Sequence, residues 1–388
     1  MPTWFNKMNI YLSLWLVYSF QALFISKGSF LTQLLIVVLF VYSLYSVFVV
    51  NTQYRLQMPL FFYGLNVLVL LFTIYGFFYI ICGGRSEYLK SIYKSLLPIY
   101  SFYILWREYP LSKRVVFFWI VVFFLLTTIQ YYHHYQEQLL RAVLLGSSAE
   151  EFTNNTGYLF LSLIPLCVFF NKKTLIQYIA IGYCMVFILM AMKRGAIFIG
   201  VICLVWLLWD NMKKANVKKK IALICLSLLL VVLGVFFVQK QMYESLYFQK
   251  RVENTLDGNS SGRDRIYGKL ADYFWYGTSP FQFILGSGAE TTVKVAGNFA
   301  HNDWLEIAVN QGLLGIFIYM FYWILFAKEC LSKSYCSQEK LALQLLFLIY
   351  FMQTLFSMSY NGMPTSATFV LGYCLAQEKK NEQVVYSN

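Results

Sequence analysis

Residues 60–81 read LFFYGLNVLVLLFTIYGFFYII, a run of 22 residues that holds no charged side chain. About twenty apolar residues in a helix span the roughly 30 Å of hydrocarbon in a bilayer. Runs of this kind recur along nearly the whole chain, in which 59% of the residues are hydrophobic and 13% are charged. A chain with so little polar surface cannot cover itself in water. The sequence therefore predicts an all-α, polytopic integral membrane protein.

Apolar runs of sufficient length predict about twelve transmembrane helices, all within one polytopic membrane domain that comprises residues 1–388. The fourth run contains Pro98 and two lysines, and it is the most interrupted of the set. The predicted segments are 9–25, 30–50, 60–81, 88–106, 115–131, 157–170, 174–192, 196–209, 221–238, 312–327, 341–357 and 365–376.

The distribution of lysine and arginine predicts the orientation of these helices. With both termini in the cytoplasm, the inner segments hold 17 basic residues and the short outer segments hold 7. This bias follows the positive-inside rule, and it places residues 239–300 outside as one large extracytoplasmic loop. The formal net charge of +13 then reflects orientation and contact with anionic lipid, and we expect no nucleic-acid partner.

Polar residues outside the apolar runs predict two outer loops. Residues 133–155 form the first, which holds His133 and His134 at its surface. Within the second, residues 239–300, an amphipathic helix is predicted from Ile266 to Tyr276. The larger loop contains none of the eight cysteines. No Cys or His spacing indicates zinc, so we expect neither a disulfide-stabilised ectodomain nor a metal.

The segment from 300 to 316 reads AHNDWLEIAVNQGLLGI and follows the larger loop directly. If it is helical, 3.6 residues per turn align His301 with Leu305, Ala308, Gly312 and Gly315, and the two glycines allow another backbone to approach closely. An unperturbed imidazole has a pKa of about 6.5, so a neutral fraction is available as a base near neutral pH. The pattern places a titratable histidine at the membrane surface, where it is either a reactive group or an interfacial, hydrogen-bonded structural residue.

Arg194 is a second candidate, in the sequence MKRGAIFIG between two apolar runs. Its predicted position on the outer side runs against the charge bias, and a guanidinium near hydrocarbon is unfavourable unless an anion meets it. The planar guanidinium suits a diphosphate. Snorkelling to outer headgroups is the alternative interpretation.

The spacing His-Asn-x9-Gly-x-x-Gly, formed by His301, Asn302, Gly312 and Gly315, resembles the signature of the bacterial O-antigen ligase and Wzy-type polysaccharide polymerase family. Members of that family also show three further elements. They are a Ser-Arg-Gly-like element, a Gly-Arg element in the large outer loop and a Gly-x-Gly element before the His-Asn helix. This chain has Lys193-Arg194-Gly195, Gly262-Arg263 with Tyr267 where tryptophan is common, and Gly286-Ser287-Gly288.

The resemblance implies a membrane glycosyltransferase of the bacterial cytoplasmic membrane, with its active site facing the periplasm or the cell exterior. The donor would be an undecaprenyl-diphosphate-linked glycan, and no cofactor or metal is implied. Arg194 and Arg263 would converge on the leaving diphosphate, and His301, supported by Asn302, would activate or position the acceptor hydroxyl. A chain-length regulator and a flippase are the implied protein partners. Supporting candidates are Arg141, Arg265, Asp303 and Glu306, with Gly312 and Gly315 in helix packing.

Three functions remain open. A polymerase uses a second lipid-linked repeat unit as acceptor. We favour this function because the sequence HNDWLE and the long outer loop resemble those of O-antigen and capsule polymerases. A ligase uses lipid A core or another terminal acceptor. A transporter of lipid-linked sugars would suit twelve spans. However, the sequence shows no inverted repeat and few carboxylates within the spans to couple transport to an ion gradient.

Overall fold

A computed structural model describes residues 6–25, 29–145, 154–170, 174–244, 249, 253 and 262–377. Over these residues the regular secondary structure is helical and contains no β-strand, which confirms the predicted all-α class. In chain order the helices are α1 (Lys7–Phe24), α2 (Phe30–Thr52), α3 (Leu60–Ile81), α4 (Glu87–Leu96), α5 (Pro98–Glu108), α6 (Lys113–Leu145), α7 (Gly157–Leu163), α8 (Thr174–Met190), α9 (Arg194–Lys214), α10 (Val217–Glu244), α11 (Arg263–Tyr276), α12 (Pro280–Leu285), α13 (Thr291–Ala296), α14 (Asp303–Leu331), α15 (Ser337–Phe356) and α16 (Thr365–Gln377).

Six helices within the described part of the chain are long and apolar enough to cross a bilayer. They are α2, α3, α6, α9, α14 and α15. Each of the twelve predicted segments lies mainly on one helix or on two consecutive helices, and the sixth comprises α7 and a 3₁₀ helix, Pro165–Phe170. The chain is therefore a polytopic membrane protein, and the number twelve stays a prediction.

The described residues cluster into two compact units. One comprises the chain up to Leu126 together with the chain from Arg265 onward, and the other comprises Thr127–Asp264. The candidate histidine, His301, belongs to the first unit. Arg194 belongs to the second.

In the first unit, α3 and α14 pack antiparallel over most of their lengths. At one end, the amide of Phe61 donates a hydrogen bond to the buried carboxylate of Glu329 at 3.0 Å, and the ring of Phe61 lies 4.9 Å from that of Phe326. At the other end, the side chain of Gln311 donates to the Tyr88 hydroxyl at 3.1 Å, just beyond α3. The first turns of α14 therefore lie beside the last turns of α3.

The fourth predicted segment, 88–106, is wrong as a single span because it divides at Leu97 into α4 and α5. Pro98 has no amide hydrogen, so it cannot make the hydrogen bond that would continue the helix from α4. α5 has 11 residues, which is too short to cross a bilayer alone. Every residue from Pro98 to Trp106 is buried, and α16 packs against this helix: the indole of Trp106 donates to the carbonyl of Phe369 at 3.2 Å.

The first predicted outer loop, 133–155, is wrong over its first half because α6 does not end near residue 133. This helix has 33 residues in all and continues to Leu145. Residues 133–145 contain neither glycine nor proline and are rich in glutamine, glutamate, leucine and arginine, which favour helix. A helix of this length extends about 50 Å, which exceeds the hydrocarbon thickness. Arg141 lies on this helical extension, and its side chain is outside the described part of the structure, as are residues 146–153.

Candidate active site

His301 directly precedes the N-cap of α14 and has a left-handed backbone conformation, with a φ of 52°. The helix begins at Asp303, and the side-chain oxygen of its N-cap, Asn302, accepts a hydrogen bond from the amide of Leu305 at 3.1 Å. The prediction that His301 lies on one helical face with Leu305 and Ala308 is therefore wrong, because His301 is outside the helix. A left-handed residue other than glycine is strained by about 1–3 kcal/mol, and such strain concentrates at functional sites. The half-buried imidazole is thus held off the helix.

Glu306 holds the chain on both sides of the candidate histidine. One of its carboxylate oxygens accepts from the amide of Ala300 at 2.8 Å, and the other accepts from the hydroxyl of Thr292 and the side-chain amide of Asn310. The side chain is 1% exposed. Because Ala300 immediately precedes His301, Glu306 determines where the histidine backbone enters the site.

Replacing Glu306 with glutamine should lower the thermal midpoint of unfolding and slow the reaction. An amide nitrogen in place of a carboxylate oxygen would face a hydrogen-bond donor, and a buried unpaired donor costs about 1–3 kcal/mol. Thermal unfolding in detergent and initial rates of transfer would measure the change. The matched control is Asp272→Asn at an exposed position of α11. Equal unfolding midpoints and rates for both variants would contradict this role for Glu306.

Asp303 anchors the start of α14 to the turn that follows α15. The amide of Ser359 donates to both carboxylate oxygens at 3.0 Å, the amide of Tyr360 donates at 3.3 Å, and the hydroxyl of Tyr319 donates at 2.6 Å. The side chain is 0% exposed. With these partners, Asp303 binds the protein's own backbone and side chains. Trp304 also contacts α15, through the hydroxyl of Thr354 at 2.9 Å.

The two glycine elements of the sequence pattern meet each other in space. Gly312 has a φ of 67° and a non-helical conformation inside α14, and a Cβ on it would collide with the backbone of Ile284 and Gly286. The same crossing continues through hydrogen bonds from the amide of Ser287 to the carbonyl of Val309 and from Gly288 to Asn310, each at 3.0 Å. The backbone that approaches Gly312 is therefore the Gly286-Ser287-Gly288 segment. The nearest atoms to a Cβ on Gly315, by contrast, belong to side chains of its own helix.

Arg263 is the first residue of α11, which was predicted from Ile266 and begins three residues earlier. Gly262 precedes it with a φ of 78°, a conformation that favours glycine. Arg263 is half-buried, and Arg265 is exposed. A helix N-terminus carries a partial positive charge, so Arg263 adds a full positive charge where an anion is already favoured.

Arg194 is likewise the first residue of its helix, α9, in the second unit. Its N-cap is Lys193, and Met192 before it has a left-handed backbone with a φ of 53°. Methionine seldom adopts this conformation, so the turn into α9 is strained. Two basic side chains at the positive end of a helix dipole favour an anionic ligand.

His133, His134 and Glu137 form a group within the described residues that has the composition of a metal site. Their ligand atoms lie within 4.8 Å of one another on α6. The Nδ1 atoms of the two histidines lie 3.8 and 3.3 Å from the oxygens of Glu137. His134 and Glu137 are exposed, and these contacts are those of ordinary side-chain pairs three and four residues apart on a helix surface.

Sequence reasoning missed the polar partners that hold this site together, namely Thr292, Asn310, Ser359 and Tyr360. Thr292 and Asn310 are almost completely buried. Asn310 lies four residues after Glu306 on the same helix face, and this spacing is a local signal that could have found it. The contact of Asp303 with Ser359 joins residues 56 positions apart, and no local pattern predicts it.

A family model described as Wzy_C, O-antigen ligase, matches residues 179–320 of the chain. The matched region contains Arg194, Arg263, the Gly286-Ser287-Gly288 element and the whole His-Asn-x9-Gly-x-x-Gly pattern. The match confirms the resemblance that the motifs indicate. No curated protein matches the chain.

Proposed function

We propose that this chain, whose residues 179–320 match the O-antigen ligase family model, is a membrane glycosyltransferase of the ligase type. It would transfer a glycan from a polyprenyl diphosphate, undecaprenyl diphosphate in bacteria, to a hydroxyl of a terminal acceptor. The reaction would take place at the extracytoplasmic surface of the cytoplasmic membrane. The observation that carries the proposal is the strained, half-buried His301 at the start of a membrane-spanning helix, anchored through Asp303 and Glu306.

In this reaction the imidazole of His301 accepts the proton of the acceptor hydroxyl as its oxygen attacks the anomeric carbon of the donor. The bond between that carbon and the diphosphate oxygen breaks, and the polyprenyl diphosphate leaves. The leaving group gains negative charge in the transition state, and a guanidinium aimed at it is the electrostatic stabiliser that such a step requires. We assign this role to Arg194 and Arg263.

The structure weakens the argument that favours a polymerase. The sequence HNDWLE resembles that of polymerases, but its two acidic residues, Asp303 and Glu306, are buried and hydrogen-bonded to the protein's own backbone and side chains. The contacts of these two residues are structural, and they do not indicate which acceptor the protein uses. The description of the matching family model supports the ligase.

Reconstitution with one defined undecaprenyl-diphosphate repeat unit tests both activities. In the presence of a terminal acceptor such as lipid A core, the ligase predicts one transfer to each acceptor and no product with donor alone. A ladder formed from donor alone would overturn the ligase in favour of the polymerase. Transport of the intact donor without any glycosidic bond formation would overturn the transferase proposal itself.

Replacing Arg194 or Arg263 with alanine should lower kcat/KM by roughly 10- to 150-fold. Hydrogen bonds to a charged group contribute about 1.5–3 kcal/mol each, and each 1.36 kcal/mol corresponds to a factor of ten. Lysine retains the charge without the planar fork, so Arg→Lys at either position should fall between alanine and the wild type.

Arg265 is a supporting candidate from the sequence, but it lies exposed two residues after Arg263, and Arg265→Ala is therefore the matched control for these variants. It should leave kcat/KM within about twofold of the wild type, since exposed charges contribute little. Full activity of Arg263→Ala, or equal losses for Arg263→Ala and Arg265→Ala, would contradict a diphosphate contact at Arg263.

A further inference from the structure

Four large side chains are exposed where α11 ends and α12 follows, within the segment that the sequence predicts as an outer loop. Trp275 and Tyr276 end α11, and Phe281 and Ile284 are three residues apart on one face of α12. Phe281 is 71% exposed and Ile284 is 53% exposed. Their neighbours form a packed base, because the rings of Phe274 and Phe283 stack at 4.8 Å. The two short helices thus present an ordered apolar face.

α12 lies alongside the spanning helices and not beyond their ends. The hydroxyl of Tyr75 donates a hydrogen bond to the carbonyl of Leu285 at the end of α12. Tyr75 is six residues before the end of α3, which corresponds to about 9 Å along the helix. Gly312, which contacts Ile284, is nine residues into α14, or about 13 Å from its first residue.

The surface of α3 shows that apolar surroundings extend past the level of α12. Phe77, Phe78 and Ile81 are exposed at its last turn, and Ile81 is 77% exposed. Large apolar side chains on the outside of a spanning helix face hydrocarbon or the aromatic belt of the interface. Since Tyr75, whose hydroxyl meets the carbonyl of Leu285, is about 9 Å inward from Ile81 along α3, we infer that the end of α12 lies at a depth where lipid surrounds the protein.

The backbone around α12 also meets the requirement for non-helical chain at membrane depth, where unpaired amides and carbonyls are very unfavourable. The hydroxyl of Ser279 accepts from the amide of Gln282, whose side chain accepts from the amide of Ser279 in return. After α12, Ser287 and Gly288 donate to carbonyls of α14 at 3.0 Å. The polar groups of the returning chain are thus directed into the protein, while the apolar side chains of α12 are directed outward.

We infer that α12 is a re-entrant segment whose Phe281 and Ile284 contact lipid acyl chains of the bilayer, with Trp275 and Tyr276 at the headgroup level. The inference rests on α3 and α14 spanning the membrane and is independent of the transfer chemistry. Lys269 and Asp272 are exposed earlier on α11 and remain in water. This part of the outer loop is therefore a wall of the site that faces lipid.

Environment-sensitive labelling tests the depth of α12. Phe281→Cys and Ile284→Cys, each in a background from which the eight native cysteines are removed, are labelled with a nitrobenzoxadiazole fluorophore. The protein is then reconstituted in nanodiscs with or without doxyl-labelled phospholipid. The water control is Lys269→Cys, and the lipid control is Phe317→Cys, which replaces an exposed residue of α14. Because all four positions are on the surface, the substitutions disturb no packing.

We expect labels at Phe281 and Ile284 to match the blue-shifted emission at Phe317, and doxyl lipid to quench them at least twofold. The label at Lys269 should remain unquenched, and the unlabelled Lys269→Cys variant should react with a membrane-impermeant maleimide. Emission and quenching at Phe281 and Ile284 equal to those at Lys269 would overturn the inference and place the face in water. A spectral change on adding glycan would then identify it as a sugar-stacking surface, and a change with protein density in the nanodisc would identify a second copy.

Discussion

Replacing His301 with asparagine should abolish glycan transfer while the protein stays folded and membrane-inserted at the wild-type level. Asparagine tolerates the left-handed conformation with a φ of 52° that His301 adopts, so the backbone entering α14 is preserved. Its amide cannot accept a proton at neutral pH, and loss of a general base lowers a rate by about 10²- to 10⁴-fold. The initial rate of transfer from a defined lipid-linked donor measures the effect.

Two further variants separate chemistry from conformation. His301→Gly keeps the left-handed backbone and removes the whole side chain, so it should lose activity to the same extent. His134→Asn alters another of the three histidines, at an exposed position on α6, and should retain wild-type activity. Transfer by His301→Asn within a few-fold of the wild type would show that the imidazole carries no chemistry.

Replacing Gly312 with alanine should destabilise the protein strongly, although the change adds only one methyl group. The new Cβ would collide with the backbone of Ile284 and Gly286, and the φ of 67° disfavours any residue with a side chain. Backbone strain and overpacking each contribute about 1–3 kcal/mol, so a loss of roughly 2–6 kcal/mol in the free energy of unfolding is expected. Thermal unfolding in detergent and the amount of protein in the membrane report it.

The control for this substitution is Gly268→Ala in α11. A Cβ on Gly268 meets nothing within 4 Å, and alanine is favoured over glycine in a helix. The unfolding midpoint should therefore stay the same or rise. If Gly312→Ala and Gly268→Ala had the same unfolding midpoint, α14 could straighten at Gly312 without a loss of stability. The close contact between Gly312 and the Gly286-Ser287-Gly288 segment would then not stabilise the protein.

Local patterns predicted most of the helical framework because hydropathy and helix propensity act over one to a few turns. The run at 60–81 became α3 with the same boundaries, and the amphipathic pattern from Ile266 became α11. Two errors in this framework have equally local causes. Pro98 divided one span by removing an amide hydrogen. At residues 133–145, polar side chains indicated a loop although their helix propensity continued α6.

The candidate site shows where local patterns end. The spacing from His301 to Gly315 indicated the resemblance to the O-antigen ligase family, and it indicated that a backbone approaches the glycines. It did not show that Gly286 is the partner of Gly312, since these residues are far apart in sequence. The sequence offers Asp303 and Glu306 only as supporting candidates, and their burial against backbone amides makes them anchors of the chain around His301.

By itself, the sequence determined that this protein is an all-α membrane protein and which residues carry the spacing shared by O-antigen ligases and Wzy-type polymerases. Both follow from the order of side chains along the chain, since spanning hydrocarbon needs a continuous apolar helix and the signature is a spacing. Only the tertiary structure decided that His301 lies off the helix in a left-handed turn, and which chain segments hold it there. This conformation depends on long-range contacts, because a buried carboxylate is stable only where folding brings hydrogen-bond donors from distant segments to it.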